Sequence, residues 1–545
     1  MDFQRLFLFL ILSFSLMMIW DGWQRYQQPP VVQQAGTTAK SDLPVASIKA
    51  ADVAGQATIA QQPEKQAPGK IIKVKTDILE AEISSVGGDI QRLDFLNHPD
   101  GQDENKHFVL FEKGANTHNY VAQSGLLGEG MPNHNSIFTV EQDSYQLNAN
   151  ADQLQVRLTA EGTNGVKVVK LLTFHKNSYV IDITYEIENG TGAALNTSAY
   201  YQFIRNSVAP VGDSMMLPTY TGAAVYTEQE KFQKVVFSDI DKAKVDYPKE
   251  SDNGWIGMLQ HYFVAAWIPE EKSKREFFTR KLDDGLYSAG VVLAVPAIAA
   301  GQKSIITVPL YAGPAQSSLN DISPGLGLTV DYGWLTVIAT PMFWVLTFIN
   351  GLVHNWGVAI ILLTVLIKIL FFPLSAASYR SMGKMRLVAP KLEKIKQQYA
   401  NDREQLNRAM MDLYKTEKIN PLGGCLPVLI QIPVFIALYW SILASVEMRY
   451  APFFGWITDL STADPYYILP IIMGASMYIQ SKLNPVPPDP MQAKLMQIMP
   501  IAFSVIFFFF PAGLVLYSIV NNALSIAQQW YITRGLEVEA VAAKR

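Results

Sequence analysis

Cysteine is almost missing from this chain. Cys425 stands alone among 545 residues, which excludes an intrachain disulfide and leaves no thiolate set for a zinc or iron–sulfur centre. A surplus of positive charge is also missing: 44 lysines and arginines face 48 aspartates and glutamates. Nucleic acid is therefore not the main partner, and no direct sequence-specific contact with it is expected. His98, His107, His118, His134, His175 and His261 are scattered without metal-ligand spacing. The polar half holds no nucleophile–base motif, and the apolar stretches hold no His, Asp or Glu at their centres. Both absences argue against a hydrolase. No internal repeat of the transporter kind is visible.

What is present divides the chain in two. The stretch from about Gln24 to Thr329 is mixed and polar, and the stretch from Trp334 onward is strongly apolar. At the start, Leu6 to Trp20 is apolar and uncharged, with Arg5 before it and Trp23 and Arg25 after it. No small-residue cleavage site follows, so residues 1–26 read as an uncleaved signal anchor rather than a removed signal peptide. Residues 27–70, rich in Gln, Ala, Pro and Thr, have too few large apolar groups to fold and read as a disordered linker.

Period-two patterning takes over in residues 71–333. Ile181, Ile183, Tyr185 and Ile187 alternate with Asp182, Thr184, Glu186 and Glu188, the pattern of a half-buried antiparallel strand. Val166 to Phe174 is a second β-rich run, entered through the hairpin signal Asn164-Gly165. Gly87-Gly88 and Asn189-Gly190 mark further turns. Strands at this spacing predict a large β-sandwich with a binding surface.

The apolar half reads as a helical membrane bundle. Trp356 to Tyr379 is a span whose one charge is Lys368. Further spans are expected at 422–446, 466–482, 496–510 and 513–531, the last two forming a hairpin at Pro511-Ala512-Gly513. With the anchor this makes about six spans. Residues 334–355, interrupted by Pro341, run directly into the first of these spans and read as an amphipathic helix at the outer interface. Residues 380–418 are dense in lysine and arginine, whereas Met448–Pro465 sets Arg449 against Asp459 and Asp464. The basic segment is therefore cytoplasmic, as are both termini, and the β domain faces the opposite side. Leu392, Ile395 and Tyr399 share one helix face, and Leu406, Met410, Leu413 and Tyr414 share another. Asn401 and Asp402 between them are placed to cap, so the basic segment reads as a helical hairpin. Met385, Met410 and Met411, with Lys391 and Lys394, are its candidate contact residues, methionine being an adaptable apolar surface. Simple packing is the other role open to these methionines.

An ammonium inside a bilayer costs at least ~2.5–3.5 kcal/mol on insertion scales, so Lys368 is expected to have a use. Thr364 lies one turn earlier on the same face. The last span carries Tyr517, Ser518, Asn521, Asn522 and Ser525, and the middle span carries Gln431. Lys368, Thr364, Tyr517, Ser518, Asn521, Asn522 and Gln431 are the candidate lining of a wet intramembrane groove. Two alternatives stay open from the residues alone. Lys368 snorkels to the interface, or the asparagines merely bond neighbouring helices.

The ordered set Asn420-Pro421-Leu422-Gly423-Gly424-Cys425, Gln431-Ile432-Pro433, Asp464-Pro465-Tyr466-Tyr467, Asp489-Pro490-Met491-Gln492 and Pro511-Ala512-Gly513-Leu514 resembles the YidC family of membrane protein insertases. The resemblance covers nearly the whole chain and is strongest over residues 356–535. The anchor and large β domain resemble the Gram-negative branch. That branch implies a periplasmic all-β supersandwich beside a five-helix insertase core, in the bacterial inner membrane. It also implies a groove open to cytoplasm and lipid with one positive residue. Many members have arginine at that position, and here it is Lys368, which keeps the charge and loses the bidentate fork. Tyr517-Ser518 stands where some relatives have two tyrosines, and the tail 536–545 is short and hardly basic.

The resemblance implies an insertase and chaperone for nascent inner-membrane proteins, working alone or with the Sec translocon and its accessory subunits. It implies membrane lipid as surroundings, at most a weak ribosome contact, no cofactor and no covalent chemistry. A transporter or channel with a polar intramembrane pathway is the alternative.

Overall fold

Strand Val180–Asn189 shows how the β domain is built. Ile181, Ile183, Tyr185 and Ile187 are buried, and the residues between them are half exposed. The strand pairs antiparallel with Val166–His175 on one side and Lys303–Pro314 on the other. Gly165 has φ 87°, the left-handed backbone that the turn into Val166–His175 requires. The structure, a computed structural model, describes residues 43–44, 69–100, 103, 105–114, 118–162, 165–208, 210, 220–330, 332, 335–399, 402–417, 426–484, 498–499, 502 and 504–542. The anchor 1–26, nearly all of the linker 27–70, and the motifs Asn420–Cys425 and Asp489–Gln492 lie outside the described residues. So do Asn164, Asn401 and Lys418.

The described strands form two sheets, of ten and nine strands. Val180–Asn189 lies within the nine-stranded sheet, and Ser198–Asn206 is central in the other, between Asn119–Leu127 and Leu286–Ala294. One hydrophobic core joins the two: Phe203 and Ala199 from the larger sheet pack with Ile183, Val308 and Trp267 from the smaller. This is the expected β-sandwich. An inward charge breaks the apolar pattern of Val166–His175. Lys170, 1% exposed, donates to the Gly87 carbonyl at 2.8 Å and sits 3.7 Å from the buried Asp89 carboxylate.

The helical part begins with α1 (Thr336–Val353), within two residues of the expected helix at each end. Among the described residues, α1 alone is long and apolar enough to cross a membrane as one straight helix. Its amphipathic contrast is weaker than expected. Its outward face holds Thr336, Thr340 and Thr347 and, beside them, the apolar Val337, Trp344, Phe348 and Leu352, with no charge.

The stretch 356–379, expected as one span, is not a single helix. It divides at Phe371 into α2 (Trp356–Leu370) and α3 (Phe372–Gln398), which meet at 68°. Pro373 explains the break: it has no N–H to continue the first ladder and is well suited to the first turn of a new helix. α3 then runs on as the first arm of the basic hairpin, and α4 (Arg403–Thr416) is the second. Asp402 caps α4 as expected, accepting from the backbone N–H of Glu404 and Gln405 at 3.0 Å each.

The bundle continues with α5 (Leu426–Ala444), α6 (Ile468–Leu483) and α7 (Ala512–Ala542). Asp464, buried, ties down the entry to α6 by accepting from Leu469 N at 2.7 Å, Tyr466 N at 3.0 Å and Trp456 Nε1 at 3.0 Å. The stretch 536–545, expected as a tail, is helical through Ala542. Leu536, Glu537, Glu539 and the alanines there are good helix formers, so nothing stops α7 at the end of its apolar part.

The β domain rests on the loop after α5. The Arg449 guanidinium lies 5.3–5.7 Å from the rings of Phe108, Tyr262 and Tyr450. The Tyr450 hydroxyl donates to the Asp100 carbonyl, and His261 Nε2 sits 2.8 Å from the Leu443 carbonyl. His98 stands in the same joint, 3.0 Å from the Tyr179 hydroxyl. Burial, and then the Arg449 charge, push its imidazole down from 6.5 to about 4. The unfolded chain thus binds a proton that the folded one refuses between those values. Above pH 6.5 the group costs nothing, and as pH falls towards 4 stability is lost. The expected loss is at most about 3 kcal/mol, reduced by solvent screening. Amide protection factors at the joint, corrected for the intrinsic slowing of exchange in acid, should fall between pH 6.5 and 4, and His98→Gln should remove that part of the pH dependence.

Candidate functional site

Lys368 occupies the last turn of α2, just before the bend. Its Nζ donates to Ser525 Oγ on α7 at 2.7 Å, so it points across the bundle to another helix. Ser525 donates its own hydrogen to the Asn521 carbonyl at 2.7 Å, which leaves its lone pairs for the ammonium. Among the described residues no carboxylate comes within ion-pair distance of Lys368. Its Nζ is therefore held by a neutral oxygen, with no partner carboxylate among the described residues to offset a charge there.

The polar stripe of α7 divides into two edges. On one, Gln431 of α5 donates to the Tyr517 hydroxyl, and Tyr517 is itself buried. Asn521, one turn on, is half exposed, as are Lys368 and Gln431. On the other edge, Asn522 donates to Ser476 Oγ of α6 at 3.2 Å, and Gln529 donates to the Leu483 carbonyl at 3.2 Å and to Asn484 Oδ1 at 3.1 Å. That edge fastens α7 to α6.

The structure thus leaves Lys368, Asn521 and Gln431 half exposed and buries Tyr517, Thr364, Ser518 and Asn522. Thr364 is buried, with its hydroxyl on the Ile360 carbonyl at 2.6 Å. Ser518 is buried, with its hydroxyl on the Leu514 carbonyl at 2.9 Å. Asn522 is buried against α6. Hydroxyls on a helix readily bond the carbonyl four residues back, which commits their hydrogen and leaves their lone pairs as acceptors.

Ser525 was visible in the sequence among the polar groups of the last span but was not assigned to the groove. Its position, four after Asn521 and seven after Ser518, is the signal that marks it.

In the hairpin, Met385 and Met410 pack against a small core of Val388, Leu392 and Tyr414. Both are half buried there. Met411 is 51% exposed and Lys394 is exposed, while Lys391 pairs with Glu417 at 2.6 Å. Among the described residues no group of three or more His, Cys, Asp or Glu is arranged to hold a metal.

The family described as YidC periplasmic domain matches residues 71–345, and the family described as 60Kd inner membrane protein matches residues 348–539. A membrane protein insertase YidC from Methylobacillus flagellatus is 55% identical over 550 residues, covering 100% of this chain and 99% of its own. One from Nitrosospira multiformis is 52% identical over 560 residues, covering 99% and 98%. A solved structure, described as an active YidC insertase crystal structure with the first transmembrane domain resolved, is 19% identical at a TM-score of 0.41, covering 85% of this chain and 95% of that one. The chain belongs to the YidC family of inner-membrane protein insertases, with a β-sandwich domain followed by a helical region.

Proposed function

We propose that this protein inserts nascent hydrophobic segments into the inner membrane and chaperones them there, without covalent chemistry. The observation that carries the reading is Lys368, an ammonium inside an apolar bundle whose partner is a neutral hydroxyl, flanked by half-exposed Asn521 and Gln431. A short polar or acidic flank is drawn to that charge, while the apolar segment leaves for lipid by burial. The polar side chains lower the cost of moving the flank across.

In this reading α2 with the start of α3, α5, α6, the segment 496–510 and α7 are the five core spans, and the anchor 1–26 is a sixth. The basic α3–α4 hairpin is cytoplasmic, both termini are cytoplasmic and the β domain 71–333 is periplasmic, connected to the anchor by the linker 27–70. α1 lies flat at the outer interface. In support, its Ala339 carbonyl meets Ser441 near the end of α5, while its Phe343 stacks on Trp356 at the start of α2. Both contacts belong to the end of the bundle that carries the β domain. The hairpin receives nascent chains, and the Sec translocon and, weakly, the ribosome are its neighbours.

Purified protein in liposomes tests this. A model substrate with one apolar segment and a short acidic flank should become protease-protected in the proteoliposomes and remain digestible with protein-free liposomes. Equal protection in both would contradict the reading.

A further inference from the structure

Two helices meet at one oxygen. Ser525 Oγ of α7 accepts from Lys368 of α2 and spends its own hydrogen on the Asn521 carbonyl. Ser525 is 3% exposed, so the acceptor is shielded although Lys368 itself is half exposed. A lysine has a flexible stem and three rotatable donors, and one placed beside a helix bend has many rotamers available. Left free near the edge of an apolar region, its head moves towards water.

We propose that Ser525 is the positioning residue for Lys368: it fixes the ammonium on the half-exposed Asn521 edge of α7 without neutralising it, and so sets how strongly the site prefers substrates with an acidic flank. The inference rests on the insertase reading above. A hydroxyl suits this task for a stated reason. Its hydrogen is already committed to the backbone, so it presents only acceptor density to the cation. A carboxylate in the same place would hold the lysine at least as firmly and would cancel its field. An alanine would leave the field but release the head. Position and charge are therefore separable at this one residue.

The test is a double-mutant cycle in reconstituted full-length protein, run with two substrates that differ only in an acidic or a neutral flank. Ser525→Ala should lower insertion of the acidic-flank substrate roughly three- to tenfold and leave the neutral-flank substrate near wild type. Ser525→Thr, which keeps the acceptor, should restore the loss. Ser525→Asp should behave like Lys368→Ala although the ammonium is still held. In a Lys368→Ala background, Ser525→Ala should add nothing further.

The proposal is overturned if Ser525→Ala affects both substrates equally, if Ser525→Asp retains full preference for the acidic flank, or if the two substitutions add. If Lys368→Ala itself changes nothing, the insertase role given to that lysine fails first, and the two failures are told apart by that single variant.

Discussion

Lys170→Met should destabilise the β domain by about 3–5 kcal/mol, the cost of breaking a buried ion pair from one side. The lysine lies on the inward face of Val166–His175, where its Nζ reaches the Gly87 carbonyl at 2.8 Å and the Ser124 carbonyl at 3.4 Å. Asp89 is 3.7 Å away and 3% exposed, and the ring of Tyr185 lies 5.6 Å from the ammonium. Burial pushes the Asp89 carboxyl up and the Lys170 ammonium down to about 8, each opposed by the other's charge. Methionine fills the volume but leaves Asp89 and two carbonyls without the cation.

The loss should therefore come from the orphaned partner. Lys170→Met with Asp89→Asn should recover more than half of it, because the charge that lacked a partner is gone. Urea denaturation of the intact protein, followed by β-sheet circular dichroism, reads both. A loss below about 1 kcal/mol for the single variant, or no recovery in the double, would show that the pair is not a tightly buried unit.

The second large effect is functional. Lys368→Ala should reduce insertion of an acidic-flank substrate at least about tenfold. A full charge pair at about 4 Å is worth roughly 4 kcal/mol at an effective dielectric of 20, and part of that is lost to desolvating the flank. Lys368→Arg should stay within about threefold of wild type, since it keeps the positive potential and changes only the donor geometry. Initial rates of protease protection in proteoliposomes measure both. Full activity in Lys368→Ala would remove the charge from the mechanism, and strong loss in Lys368→Arg would show that geometry outweighs potential.

Legibility differed by level of structure. Strand Val180–Asn189 was readable because its period is two and both faces obey it. Its neighbour hid Lys170, since no local rule announces a charge at an inward position whose partner, Asp89, is far away in the chain. Pro373 was visible and so was the apolar run around it. The run was still read as one span, because a proline opening a new helix and a proline kinking an old one look alike in sequence. The polar stripe of α7 followed from i, i+4 spacing, and its length through Ser525 was there to be extended. What each of its residues touches was not readable. Asn522 reaches Ser476 and Ser525 reaches Lys368 through packing between distant segments. The hairpin methionines show the same limit: Met385 and Met411 are alike in type, yet one is half buried against a small core and the other is exposed.

The most direct test of the account is where a nascent chain lies while it is being inserted. A photoreactive side chain at Asn521, on the half-exposed edge beside Lys368, should crosslink strongly to a stalled, acidic-flanked membrane segment. The same probe at Ile471, which is 61% exposed on α6, should crosslink mainly to lipid. Strong crosslinking at Ile471 and none at Asn521 would place the substrate on the wrong side of α7 and contradict the account.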